Sequence, residues 1–392
     1  MSIITAKNYH RALKLPPNYS FFLFGPRGVG KTTLINQVLP KKNTLTLNLL
    51  DNELEYQLST DKGAFRQILN SLPPHINWVY VDEIQKIPSL LDEIHHNLES
   101  NKKINFALTG SSARKLKSGQ ANLLAGRAFT LNLYPLSITE LGADFHLNQA
   151  LQFGTLPKIF DFDHDLDKRA FLTAYVNTYL TEEIIAEGLT RKLHAFKNFL
   201  KVAAFNNGEI LSFNNIAQDT GVSARSIKSY YEILEDTLLG FRLYPYKKSI
   251  RKKQREKPKF YFFDTGIVRA LQGLSSIELA PGTTEYGRAF EHFIINEIIR
   301  ENSYRQADFT LSYFATNHSE VDLIIEKPSG ETILIEIKST SHVRPNHLTT
   351  LRSLLPSIPH SRGVVVCREL HKRQAQDNLL ICPWQKLISE IF

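Results

Sequence analysis

The stretch FFLFGPRGVGKTTLINQVLP, residues Phe21–Pro40, reads as strand, glycine-rich loop and helix in direct succession. Phe21 to Phe24 are all apolar, which suits a strand buried on both faces. Leu34, Ile35, Val38 and Leu39 recur at helical spacing on one side, and Pro40 ends the run. Between them, Gly25 to Thr32 matches G-x-x-x-x-G-K-[ST] at every specified position. Gly25, Gly28 and Gly30 allow backbone N–H groups to turn inward around a phosphate. The start of the helix adds partial positive charge. Pro26, Arg27, Val29 and Thr33 complete the cradle. Lys31 reaches the β- and γ-phosphates, and the Thr32 hydroxyl holds Mg²⁺. The loop therefore predicts binding of ATP and ADP with Mg²⁺.

Downstream, Trp78-Val79-Tyr80-Val81 is a β-prone run that ends in Asp82-Glu83. A carboxylate at the tip of a buried strand is costly unless a cation sits there. Asp82 is expected to hold Mg²⁺, directly or through water, and Glu83 to polarise the attacking water. A third run, Ile104–Leu108, leads into Thr109-Gly110-Ser111-Ser112. Ser111, and after it Thr109, is positioned to sense the γ-phosphate; capping a helix over 113–117 is the equal alternative. Arg127 or Arg114 is a candidate to act in trans on a neighbouring copy, which would make the protein a homo-oligomer. Each of these arginines has a plain surface role as its alternative. Adding Thr44–Leu49 and Phe129–Leu133, the pattern alternates strand and helix, which predicts a parallel sheet with its ligand at the carboxyl ends of the strands.

Beyond Ser137 the pattern turns helical. Tyr175, Tyr179 and Leu180 form a stripe expected to be core. Residues Ser212–Gly240 read as a helix-turn-helix, with Gly221 at the turn, Ser223 as a cap, and Ile227, Tyr230, Tyr231 and Leu234 facing inward. The second helix exposes Arg225 and Lys228. Phe241–Tyr246 and Lys259–Phe263 predict a wing hairpin. Between them, Lys247–Lys259 holds eight Lys or Arg against one Glu. Lys247, Lys248, Arg251, Lys252 and Lys253 are the candidate DNA contacts there, since phosphate backbones attract such a segment. A solvated charged loop or a protein-contact role is the alternative.

The C-terminal third carries a second pattern. Tyr286–Ile299 is an amphipathic helix with Glu291 beside its apolar face. In EVDLIIEKPSGETILIEIKST, Glu320–Thr340, Pro328-Ser329-Gly330 supplies a turn. A hairpin about that turn sets Lys327 opposite Glu331, Asp322 opposite Glu336 and Glu320 opposite Lys338. Val321, Leu323, Ile325, Ile333, Ile335 and Ile337 then share an apolar face, and the other carries Asp322, Ile324 and Glu326 against Thr332, Leu334 and Glu336, with Lys338 at the end; a charged outer face is the plain alternative. Two opposed carboxylates repel each other, and a divalent metal would relieve this. Asp322 with Glu336-x-Lys338 is the pattern of a PD-(D/E)xK nuclease core, so Glu291, Asp322 and Glu336 are candidate ligands of a second Mg²⁺ or Mn²⁺.

Composition excludes several classes. Lys plus Arg number 47 and Asp plus Glu 39, a moderately basic balance that favours polyanion partners. The two cysteines, Cys367 and Cys382, form no C-x-x-C pair, so neither a zinc ribbon nor a disulfide framework is expected. No apolar run approaches the roughly 20 residues of a membrane helix, and the start of the chain lacks a signal-peptide pattern. A soluble, cytoplasmic protein without membrane partners is expected.

The chain resembles the prokaryotic AAA-type ATPases, related to the archaeal ATPase family, that carry a C-terminal domain of unknown function. The resemblance rests on GPRGVGKTTL, VDEIQK, LTGSSARKL, LAGRAFTLNLYPLSITEL, KFYFFDTGIVRAL, GRAFEHFIINEI, EVDLIIE and ILIEIKS, and spans nearly the whole chain. It implies an α/β protein: an ASCE P-loop ATPase core over 1–137, a helical lid over 138–205, a winged helix over 206–263, and a restriction-endonuclease-like PD-(D/E)xK domain over 264–392. It assigns ATP chemistry to Lys31, Thr32, Asp82 and Glu83. It assigns the nuclease-like site to Glu291, Asp322, Glu336 and Lys338. Val321 stands where that superfamily often has proline. Three functions remain open: an ATP-driven protein acting on DNA, a nucleotide-dependent switch or scaffold with an inactive nuclease-like module, and a transcriptional regulator.

Overall fold

The computed structural model describes residues 7–61, 63–100, 103–112, 114, 116, 124, 126–180, 193–247, 257–317 and 319–392. Strands Phe21–Phe24 (β1), Thr44–Asn48 (β2), Trp78–Asp82 (β3), Asn105–Gly110 (β4) and Phe129–Asn132 (β5) form a parallel sheet in the order β2-β3-β4-β1-β5. The alternation within β1 explains its composition. Phe21 and Leu23 face one apolar cluster, and Phe22 and Phe24 face the other. The helix after the loop spans Lys31–Val38. Leu34, Ile35 and Leu39 are buried as expected, but Val38, the last residue of the helix, is exposed.

Short helices follow at Ile138–Leu141, Leu147–Phe153 and Asp165–Ala174, the last running into one π-helical turn over Tyr175–Tyr179. Ser137 and Glu140 close a reciprocal capping box at the first of them. Helices Leu193–Phe205, Phe213–Thr220 and Ala224–Asp236 pack next. Gly221 takes the left-handed turn between the last two, and the Ser223 hydroxyl accepts the Ser226 N–H, so the helix-turn-helix layout is present.

The second sheet contains strands Gly240–Pro245 (β6), Lys259–Phe262 (β7), Thr310–Ala315 (β8), Glu320–Glu326 (β9), Thr332–Ile337 (β10), Ser361–Cys367 (β11), Arg373–Gln376 (β12) and Leu379–Pro383 (β13). Their order is β12-β13-β11-β10-β9-β8-β6-β7. The two strands read as a wing, β6 and β7, pair antiparallel. They do not stand apart: Tyr244 and Pro245 also pair in parallel with Ser312 and Tyr313 of β8.

The β9–β10 register agrees with the sequence reading from Glu326 opposite Thr332 to Leu323 opposite Ile335. Two features differ. The second face is not a charged outer surface, since Ile324 and Leu334 are buried against Leu351 and Leu354 of the helix Thr349–Leu354. The ladder also shifts register where β9 meets β8, between Ser312 and Phe314. Val321 consequently joins that second cluster, while Leu323 and Ile325 face the long helix Thr284–Arg305. A bulge re-aims the side chains around it, and here it sits at Asp322.

The helical region is fastened to the C-terminal part by the buried carboxylate of Asp264. Its Oδ2 accepts the Thr155 N–H at 2.8 Å, and its Oδ1 accepts the Ile267 N–H at 3.1 Å, capping the helix Thr265–Gln272. Gly154 lies against that carboxylate with φ at 75°, so a β-carbon there would meet both a steric wall and an unfavourable backbone region. Gly154→Ala is expected to lower the unfolding free energy by about 2–3 kcal/mol, read as a drop in thermal midpoint.

Candidate functional site

Gly28 and Gly30 adopt positive φ, and the chain from Gly25 to Thr32 wraps into a cradle at the carboxyl end of β1. The buried Lys31 ammonium donates to the carbonyls of Gly25 at 2.7 Å and Pro26 at 3.2 Å. The Thr32 hydroxyl donates to Asp82 Oδ2 at 3.1 Å, and the Thr109 hydroxyl meets the other Asp82 oxygen. A hydroxyl and a carboxylate this close, both hard oxygen donors, fit Mg²⁺. The register of the parallel sheet brings them together, although β4 lies between β1 and β3.

Glu83 follows with φ at 61°, a strained value for a non-glycine residue and one associated with functional sites. Its carboxylate accepts from the Gln85 amide, which also donates to the Ser111 hydroxyl at 3.2 Å. Gln85 was not foreseen; its one signal is its position two residues beyond the acidic pair. Ser112, rather than Ser111, accepts the Arg114 N–H. Arg127 pairs with Glu99 at 2.7 Å and Arg114 lies 3.7 Å from Asp236, so in the single chain each has a partner of its own.

A cavity of about 610 Å³ opens from the loop, a volume within the range of small-molecule sites. Lys31, Thr32 and Glu83 line its phosphate end, and Gln37, Tyr175 and Tyr179 line another part. The stripe expected as core is therefore also a cavity wall. The Tyr175 hydroxyl donates to the Arg27 carbonyl at 2.7 Å, and the Arg27 guanidinium lies 4.5 Å from the Tyr179 ring centre. These contacts tie the helical region to the loop, and they depend on a chain separation that periodicity does not report.

Arg11, also unforeseen, is buried behind the loop. It donates to Val29 O and Tyr134 O, both at 2.6 Å, to Glu140 at 2.9 Å and to the Tyr304 hydroxyl at 3.1 Å.

A second polar cluster lies at the open end of the β9–β10 hairpin. Asp322 and Glu336 are both buried, and Asp322 Oδ2 accepts the Ile337 N–H at 2.6 Å. Glu336 Oε1 meets the Lys338 ammonium at 2.6 Å, while its buried Oε2 has no hydrogen-bond partner. Burial lifts both carboxyls above the usual range; the charge of Glu291 adds to the effect at Asp322, and that of Asp322 at Glu336. Burial works against the Lys338 ammonium, but Asp322 and Glu336 outweigh it and hold the group up at about 12.

Glu291 reaches this neighbourhood from the long helix, but its Oε1 is engaged by the Tyr261 hydroxyl at 2.7 Å and by Lys259 at 3.7 Å. Lys259 also pairs with Glu320. Among the described residues, no three His, Cys, Asp or Glu converge at metal-holding spacing. The orphaned Glu336 oxygen fits a cation; the engaged Glu291 does not close around it. Tyr261 was read as a strand residue and Lys259 as a strand residue and one of the eight basic residues of 247–259; their approach to Glu291 is a tertiary contact.

Arg225 and Lys228 are exposed on the helix Ala224–Asp236, and Lys247 is exposed after β6. Lys248, Arg251, Lys252 and Lys253 lie outside the described residues. None of the helices is long and apolar enough to cross a membrane, among the described residues.

Residues 17–142 match a family model described as an AAA domain. Residues 144–278 and 286–387 match two models, each described as a domain of unknown function (DUF8612 and DUF4143). The chain is 25% identical over 386 residues to an uncharacterized protein of Mycobacterium tuberculosis, covering 98% of this chain and 84% of that one. It is 22% identical over 379 residues to an uncharacterized protein of Haemophilus influenzae, covering 88% and 90%. Among solved structures it is similar to domain III of the Thermotoga maritima replication initiation protein DnaA, with a TM-score of 0.26 and 15% identity over 57% of this chain and 86% of that one. The loop, the Thr32–Asp82 contact and the family match define an AAA-type P-loop domain in the N-terminal third.

Removing the Arg11 guanidinium leaves Glu140 buried without its cation. Arg11→Met is expected to cost about 3–5 kcal/mol of stability, read from the urea midpoint.

Proposed function

We propose that the protein is a Mg²⁺-dependent ATPase that acts on DNA. The observation that carries the ATPase reading is the Thr32 hydroxyl held 3.1 Å from Asp82 at the mouth of the glycine loop. When bound, Mg²⁺ neutralises charge on the phosphate oxygens. The chain's own residues do the remaining work. The loop N–H groups orient the phosphates, and Lys31 exchanges its carbonyl partners for phosphate oxygens. Glu83 orients water, with Gln85 and Ser111 fixing its carboxylate. Tyr175 and Tyr179 bound the same cavity. Lys31→Ala is expected to abolish saturable uptake of labelled ATP. Glu83→Gln is expected to retain uptake and to lose turnover by about 100-fold or more. Equal uptake by Lys31→Ala and the parent would overturn this reading.

Exposed Arg225, Lys228 and Lys247, together with the basic composition of 247–259, support contact with the DNA backbone through a winged helix. Lys228→Ala is expected to weaken binding similarly on all sequences and to reduce the salt slope by about 1, measured by titration at several salt concentrations. In this reading, Asp322, Glu336 and Lys338 form a nuclease-like site on DNA. A second reading, a nucleotide-dependent switch with an inactive module, is favoured by one observation: Lys259 engages Glu291.

A further inference from the structure

That same lysine carries a sharper inference. We propose that Lys259 is a built-in counter-ion of the carboxylate cluster, competing with a divalent cation for Glu291 and thereby setting how tightly the cluster binds metal. The inference deepens the nuclease-like reading and rests on Asp322 and Glu336 being able to hold a cation.

A lysine is almost never fully buried unless it is paired. Lys259 is 4% exposed and has a constructed seat. Glu291 and Glu320 flank its ammonium, and the Tyr313 ring centre lies 5.5 Å away. With the carboxylates of Glu291 and Glu320 both within ion-pairing reach, the buried ammonium keeps its charge.

Its charge has two effects on the cluster. It gives Glu291 a cation already, alongside the Tyr261 hydroxyl, so Glu291 does not turn to join Asp322. It also adds like-charge repulsion against any divalent ion entering beside Asp322 and the unpartnered Glu336 oxygen. Lys338 acts differently, since its partner Glu336 offers a second, open oxygen. Withdrawing Lys259 would leave Glu291 held by the Tyr261 hydroxyl alone and remove one opposing charge at once.

The test uses the full-length protein and Mn²⁺ as probe, with free Mn²⁺ followed by electron paramagnetic resonance. Parent, Asp322→Asn, Lys259→Met, Lys259→Arg and the double variant Lys259→Met/Asp322→Asn are titrated without nucleotide, so any Mn²⁺ at the glycine loop is common to all. Lys259→Met is expected to bind one Mn²⁺ at least ten-fold tighter than the parent, and the double variant to lose that gain. Lys259→Arg, which keeps the charge, should bind no tighter than the parent. Should Lys259→Met not fold, Lys259→Gln gives a second neutral side chain, with thermal midpoints as the check. Unchanged or weaker binding by the neutral variant, while the parent already binds Mn²⁺ through Asp322, overturns the counter-ion role but leaves the metal-site reading intact. Absence of any Asp322-dependent binding in every variant overturns the metal-site reading, and the counter-ion role falls with it.

Discussion

The guanidinium of Arg11 is the point on which three parts of the molecule bear. One nitrogen fixes the Val29 carbonyl of the phosphate loop, a second fixes Glu140 of the helical region, and the third reaches Tyr134 and the hydroxyl of Tyr304. Tyr304 lies near the end of the long helix that anchors the second sheet. A buried arginine is tolerable only because each face of its fork finds an oxygen. Loop geometry, the position of the helical region and the seating of the C-terminal helix are thus conditions of a single satisfied charge.

The same helix continues the linkage. At 22 residues it spans about 33 Å. Near its C-terminal half, Glu297 accepts the Ile138 N–H, and Arg300 donates to the Leu136 carbonyl and to Glu297. Toward its start it presents Glu291 to the carboxylate cluster. One helix therefore touches the surroundings of both polar sites, where the two sheets are separate among the described residues.

What could be read from sequence divides along contact range. The strand-loop-helix at Phe21–Val38, the acidic tip of β3 and the β9–β10 register are local or nearly local patterns, and they were legible because period and turn chemistry specify them. Val38 has the helical spacing of its buried neighbours, yet it is exposed at the helix end, which periodicity does not report. Whether the second face of the hairpin is covered was not legible, because alternation cannot tell a solvated face from one covered by another helix, as Ile324 and Leu334 are. The bulge at Asp322 depends on β8, a different segment. Arg11, Gln85, Tyr175 and Lys259 gain their meaning only from partners brought close by the fold.

The two-residue parallel seam between β6 and β8 ties together pieces that family comparison treats as separate. β6 and β7 fall within the match over 144–278, whereas β8 to β13 fall within the match over 286–387. A strand severed from its neighbour leaves a row of open amides and carbonyls that invites foreign pairing. Parting the two pieces would uncover the edge of β8 at Ser312 and Tyr313, so the boundary between the matched regions is not a boundary of the sheet.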